Sequence, residues 1–402
     1  MKVKLFLALF LPIIVFAESN VFSNIPPAKI EIININPEKC NKSCLLDLSK
    51  EKKILSFIAR FDKTIDDEEL QSLMEEYSKE IGIYYRFRFD PLGKRLEIAL
   101  LIPKKIIGKY STTTIDTILA YLVSRNIDFR FKVFDSIDEN LDSLNRVIDL
   151  IDNEHFNFLI AILSKKESLS VLENINMPIY IPTIAKDSNF VQSNIVFGGI
   201  DYKTQIDSLL KEVEGEIIIA YNDDSTLGEM LGEITKDGAI QSEINFMQDI
   251  ITNKVAANFS SNLRREEENI PKSSLFLNTP VVKSGLLLSQ INFLKDKPLK
   301  ILSTQVNYNS SFLSLLRGID TSNIIIASSI GESPQILLEY GYLLSSDIKY
   351  DWVSYSTALG IDLFLNNMSS NIERYFLEDF NNNQAIYNIN LYGIQNSVFI
   401  KF

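Results

Sequence analysis

From Leu96 onward the chain alternates short, nearly uninterrupted apolar runs with longer segments whose apolar residues recur every three or four positions. The runs are LEIALLIP, FRFKVFD, FNFLIAILS, MPIYIPT, NIVFGGI, EIIIAYND, LFLNT, LKILSTQ and NIIIASS. Continuous apolar runs, rather than strict alternation, indicate strands covered on both faces, as in a parallel sheet. Between them TTTIDTILAYLVSRN, ENLDSLNRVIDLID, YKTQIDSLLKEVE, VVKSGLLLSQINFLKD and SPQILLEYGYLL carry the helical period. Strand and helix in turn predict a doubly wound α/β body. The length favours two sheets over one, with a crossover near Asp201 to Gly215. The closing QAIYNINLYGIQNSVFIKF alternates instead, and predicts an antiparallel hairpin with Gly393 to Ser397 near its turn.

Upstream of Arg95 the rhythm is different. Lys2 and Lys4 precede twelve apolar residues, Leu5 to Phe16, and Val15 and Ala17 are the small residues a signal peptidase requires, so cleavage is expected after Ala17. That run is too short for a permanent membrane helix, and no later stretch is long and apolar enough for one, so no membrane span is expected in the mature chain. From Glu18 to Arg95 the sequence is irregular, with Pro26, Pro27 and Pro37 and one charged amphipathic stretch, TIDDEELQSLMEEYSKEIG. Thr64, Asp66, Asp67 and Glu68 suit a helix N-terminus and Gly82 its exit.

Without Lys2 and Lys4 the mature chain keeps 38 basic against 52 acidic residues. That acidic balance argues against nucleic acid as a partner, because phosphate binding needs clustered Lys and Arg. Two cysteines occur, Cys40 and Cys44, which in an oxidising compartment read as a local disulfide. The spacing has three intervening residues rather than the two of most redox pairs, and the sole histidine, His155, is far away, so no metal site is expected.

The order of these segments resembles the type I periplasmic binding proteins, the superfamily of leucine-binding proteins. IALLIPKKIIGKYSTTTIDTILAYL matches the first strand, loop and helix, followed by MPIYIPTIAKDSN and NIVFGGIDYKTQIDSLLKE. EIIIAYNDDSTLGEMLGEI is similar to the segment opening the second lobe, and IKYDWVSYSTALGIDLFLNN to the late helix of the first. That helix and the opening LLIP also resemble the outer-membrane activators of penicillin-binding proteins. The resemblance implies a two-lobed fold, each lobe a mostly parallel sheet flanked by helices, behind an N-terminal extension. The expected division is 1–17 signal peptide, 18–95 extension, 96–213 first lobe with part of 310–375, and 214–309 second lobe with the hairpin 385–402.

In open α/β sheets ligands settle beyond the carboxyl ends of strands. By that rule the candidate binding residues are Lys104, Ser164 and Thr183 in the first lobe, beside Pro103 and Pro182. In the second they are Tyr221, Asn278 and Thr279, beside Asn222. No arginine stands there to grip a carboxylate with two donors. Gly331-Glu332-Ser333 falls where a hydrolase elbow would lie, but Gln335 replaces the needed glycine and His155 precedes the serine, so Ser333 reads as a helix N-cap. Gly198-Gly199 reads as a tight hinge turn, Asp223-Asp224 as a solvated turn, Trp352 as core, and RREEEN from Arg264 as a solvated helix end. LAYLVSRNIDFRF lacks the double glycine of ligand-transporting members, and about 78 residues of the mature chain, counted from Glu18, precede the first strand. The expectation is therefore a non-catalytic, cofactor-free periplasmic protein of the envelope that recognises a protein or peptide partner. A receptor for an amino acid or other small polar ligand is the alternative.

Overall fold

The computed structural model describes residues 40–62, 65, 67–81, 95–173, 175–187, 190, 192–252, 263, 265–369 and 372–402. Residues 1–17, expected to be a signal peptide, and Thr64, Asp66, Gly82 and Arg264 lie outside the described residues. The chain forms two compact units, 1–89 and 90–402.

Among its described residues the first unit holds three helices, Lys42–Lys50, Ile54–Arg60 and Glu68–Glu80, of which the sequence announced only the last. Leu45, Phe57, Leu70 and Met74 are sealed from solvent between them, and Phe57 meets Tyr77 edge to face with ring centroids 5.2 Å apart. Asn41 caps the first helix through the Cys44 amide, and Asp67 caps the third through that of Leu70. Cys40 and Cys44 are disulfide-bonded.

The second unit contains two seven-stranded sheets. The first runs β11-β12-β5-β4-β3-β1-β2, with β1 Leu96–Ile102, β2 Phe129–Asp135, β3 Phe158–Ala161, β4 Ile179–Ile181, β5 Ile195–Phe197, β11 Asp379–Asn381 and β12 Gln384–Ile386. The second runs β14-β13-β10-β9-β8-β6-β7, with β6 Ile217–Asp223, β7 Asn245–Ile251, β8 Ser273–Asn278, β9 Lys300–Ser303, β10 Ile324–Ser328, β13 Asn390–Gln395 and β14 Val398–Lys401. Pairing is parallel except for β11 on β12, β13 on β10 and β14 on β13. Each central strand supplies two cores by alternation. Ile98, Leu100 and Ile102 pack with Ile118 and Tyr121 of the helix Tyr110–Ser124, while Ala99 and Leu101 face Leu144 and Ile148 of the helix Leu141–Asp152.

All nine expected strands are present, and β7 is one the sequence did not announce: an edge strand with an uneven burial pattern in place of a continuous apolar run. The helix Tyr202–Leu210, placed by the sequence at the end of the first lobe, packs on β9, β10 and the helix Thr226–Gln241 of the second. β10, within the 310–375 segment, likewise belongs to the second sheet. The closing hairpin is β13–β14, shorter than 385–402, because Gln384–Ile386 pairs into the first sheet. Its turn, Asn396–Ser397, has both residues at positive φ, as a two-residue hairpin requires.

Three segments therefore cross between the sheets: Gly198–Asp201 after β5, Ser329–Pro334 after β10, and Tyr387–Ile389 between β12 and β13. Gly198 and Gly199 are not a positive-φ turn. They allow close approach, since a Cβ on Gly198 would lie 2.0 Å from Tyr180 Oη and one on Gly199 2.1 Å from the Ala185 amide.

Candidate functional site

The strand-end side chains chosen from sequence are mostly committed inside their own lobes. Ser164 Oγ donates to Glu139 Oε1 at 2.6 Å, and the other oxygen of this buried carboxylate takes Ser168 Oγ at 3.0 Å and the Lys165 amide at 3.1 Å. Thr183 Oγ1 donates to the Leu163 carbonyl at 2.5 Å. The Tyr221 hydroxyl donates to Glu266 Oε2 at 2.7 Å. Asn278 Nδ2 donates to Asn222 Oδ1 at 2.8 Å, and Thr279 shares a hydrogen bond with Ser284 at 2.7 Å. Lys104 is exposed, and its backbone amide is capped by Asp135 Oδ1. The structure thus brings Asn222, Asn278, Thr279 and Ser284 into adjoining hydrogen bonds. A ligand would have to compete with intact bonds at Ser164, Thr183, Tyr221 and Thr279.

Two carboxylates read as solvated are buried. Asp223 is 6 % exposed and receives Ser225 Oγ at 2.5 Å, while Lys283 Nζ sits 3.5 Å from it, 3.1 Å from Asp224 Oδ1 and 2.9 Å from the Ile251 carbonyl. Glu266, inside RREEEN, is 5 % exposed, and burial raises its carboxyl above the ordinary range. Burial likewise pushes the Tyr221 hydroxyl up, so it stays a proton donor to Glu266. Sequence reasoning missed both because the partners lie 45 and 60 residues apart. Ser333 is not the cap of its helix. Pro334 occupies that position, and Ser333 Oγ is buried without a hydrogen-bond partner. His155 is exposed.

The crossings carry a polar network that no local motif announced beyond the two glycines. Ser356 Oγ, on the helix Trp352–Met368, donates to the Gly198 carbonyl at 2.9 Å, and the Tyr387 hydroxyl reaches the same carbonyl at 2.5 Å. Tyr180 Oη lies 3.0 Å from Ser356 Oγ. On the second-lobe side, Gln205 Nε2 donates to Gln305 Oε1 and Ser329 Oγ, both at 2.7 Å. Buried orphan atoms remain at the ends of β8 and β9, namely Asn278 Oδ1, Thr304 Oγ1, Gln305 Nε2 and Asn307 Oδ1. A cavity of about 500 Å³ opens at the crossings, walled by residues of all three segments and of both lobes.

No protein-family model and no curated protein sequence matches this chain. Solved structures do. A putative branched-chain amino acid ABC transporter protein from Rhodospirillum rubrum superposes with a TM-score of 0.59 at 12% identity, covering 77% of this chain and 100% of that one. A branched-chain amino acid ABC transporter protein from Thermus thermophilus with bound valine gives 0.56 at 12% identity, over 77% and 95%. Haemophilus influenzae LpoA gives 0.49 at 12% identity over 83% and 65%. The fold is that of the two-lobed type I periplasmic binding proteins. No described helix is long and apolar enough to cross a membrane.

Proposed function

We propose that this chain is a non-catalytic binding protein of the bacterial envelope, exported to the periplasm by the leader 1–17, that recognises a protein or peptide partner. The observation that carries the reading is the internal commitment of Ser164, Thr183, Tyr221 and Thr279, the hydroxyls at the strand ends where a small polar ligand would be held. The separate helical unit ahead of the two-lobed body supplies a second surface for such a partner. The buried, unpartnered Ser333 and exposed His155 support a non-catalytic role. A melting screen with free amino acids, dipeptides and sugars at millimolar concentration tests the reading, since any ligand of the native state raises its stability. No rise is expected. Recovery of a partner from envelope extract is expected to fall when residues 18–95 are deleted.

The second reading is a receptor that closes its lobes on an amino acid or similar polar solute. It is favoured by the orphan atoms of Asn278, Thr304, Gln305 and Asn307, which a bound polar molecule would satisfy. A rise in melting temperature with one amino acid, lost in Asn307→Leu, replaces the first reading by this one.

A further inference from the structure

The cavity at the crossings is a different place from the strand ends. Its apolar wall is formed by Met230 and Ile234 of the helix Thr226–Gln241 together with Ile386 and Ile389, and its first-lobe rim by Ala185 and Lys186. At about 500 Å³ it falls within the range of small-molecule pockets, which are predominantly apolar with a few fixed polar groups.

The charges on its rim are unequal in their compensation. Lys203 Nζ pairs with Asp207 at 2.7 Å. Asp201 caps the helix Tyr202–Leu210, taking the Lys203 amide at 2.9 Å and Thr204 Oγ1 at 2.5 Å, where the helix dipole offsets its charge. Among the described residues Lys186 Nζ is held by neutral oxygens alone, the Asn382 carbonyl and Asn382 Oδ1, both at 2.9 Å. Those two exposed bonds hold the ammonium of a half-buried residue and leave it a third proton to donate. In a chain of net charge −12 this is a localised positive group beside an apolar wall. A carboxylate is the group that answers it, through a charge-assisted hydrogen bond.

We propose that the cavity binds a small aliphatic monocarboxylate, its chain against Met230, Ile234 and Ile389 and its carboxylate on Lys186 Nζ. A free amino acid fits poorly, because its α-ammonium would stand beside Lys186 while Asp201 is already engaged as a cap. The inference is independent of the partner-recognition reading: the cavity binds its ligand whether or not the strand ends bind theirs.

The test is calorimetric titration of the full mature chain with octanoate, and with octanol, octylamine and leucine as controls. Octanoate is expected to bind, octanol about tenfold more weakly, and octylamine and leucine not measurably. Lys186→Gln keeps two amide protons but no charge, and is expected to weaken octanoate about tenfold and leave octanol unchanged. Met230→Trp, at a position 41 % exposed and so tolerant of bulk, fills the cavity and is expected to abolish binding of both. Absence of octanoate binding overturns the proposal. So does octanoate binding unchanged in the correctly folded Met230→Trp protein, or octylamine binding as tightly as octanoate.

Discussion

Arg125 Nη2 stands 2.7 Å from Asp362 Oδ1, with the aspartate side chain sealed from solvent and the arginine 4 % exposed. Asp362 lies in the helix Trp352–Met368 and Arg125 just past the helix Tyr110–Ser124, so the pair ties the two helices covering one face of the first sheet. The carboxylate also takes the Tyr121 hydroxyl at 2.6 Å and the Tyr375 amide at 2.9 Å, and the guanidinium stacks 3.2 Å from the Tyr375 ring centre. Asp362→Ala would leave the guanidinium buried and unmatched, a loss of about 3–5 kcal/mol in urea unfolding. The double variant Arg125→Met, Asp362→Leu should recover only part of it, because the desolvation of that pair disappears while Arg374 Nε, 3.3 Å from Asp362 Oδ2, and the Tyr375 and Phe376 amides lose their acceptor. A loss under about 1 kcal/mol in the single variant contradicts this account.

Glu266 should give stability an unusual pH dependence. Burial, then the nearby Asp249, raises its carboxyl above its ordinary 4.5, while the Tyr221 hydrogen bond and Arg265 pull it down less. The folded state therefore keeps a proton that the unfolded chain releases near pH 4.5. That contribution to stability is full below the unfolded value and lost as pH rises through the raised one. Measured by urea unfolding between pH 4 and pH 7, the wild type should lose stability relative to Glu266→Gln as pH rises. Parallel curves would remove the claim.

The β13–β14 turn offers a stabilising change. Ser397 sits at φ 58, a left-handed conformation that costs a residue with a Cβ and is free for glycine. Ser397→Gly creates Asn-Gly, the preferred pair for this turn, and should raise stability by about 1 kcal/mol. An unchanged or lower urea midpoint shows that the turn does not limit the hairpin.

Replacing Cys40 and Cys44 by serine should loosen the three-helix unit while leaving the melting of the two-lobed unit nearly unchanged, because the two are separate compact units. The loop closed is short, so the bridge contributes roughly 2 kcal/mol at most, all of it local. Collapse of the whole protein in the double variant, or free thiols in the exported protein, would show the assignment to be wrong.

A methyl group at Gly198 should disturb the crossings, since a Cβ there would meet Tyr180 Oη at 2.0 Å and Ser356 Oγ at 2.3 Å. Gly198→Ala is expected to cost about 1–3 kcal/mol by overpacking. The paired variant Gly198→Ala, Ser356→Ala removes one of the clashing atoms and should cost less than the sum of its parts. Strict additivity would locate the strain elsewhere.

The chain by itself determined the alternating strands and helices of the second unit. β1, β6 and β8 are covered on both faces, so burial wrote a continuous apolar run into each. It also located the strand ends, because a strand's end is marked where its apolar run stops. β7 escaped because a sheet-edge strand needs no such run. The tertiary structure alone decided what the polar residues do. Glu139 answers Ser164 across 25 residues, Glu266 answers Tyr221 across 45, and Asn222 answers Asn278 across 56. A carboxylate in an acidic sequence carries no local sign of whether water or a distant hydroxyl will meet it. Only the packing of neighbouring strands and loops brings that hydroxyl within hydrogen-bonding reach.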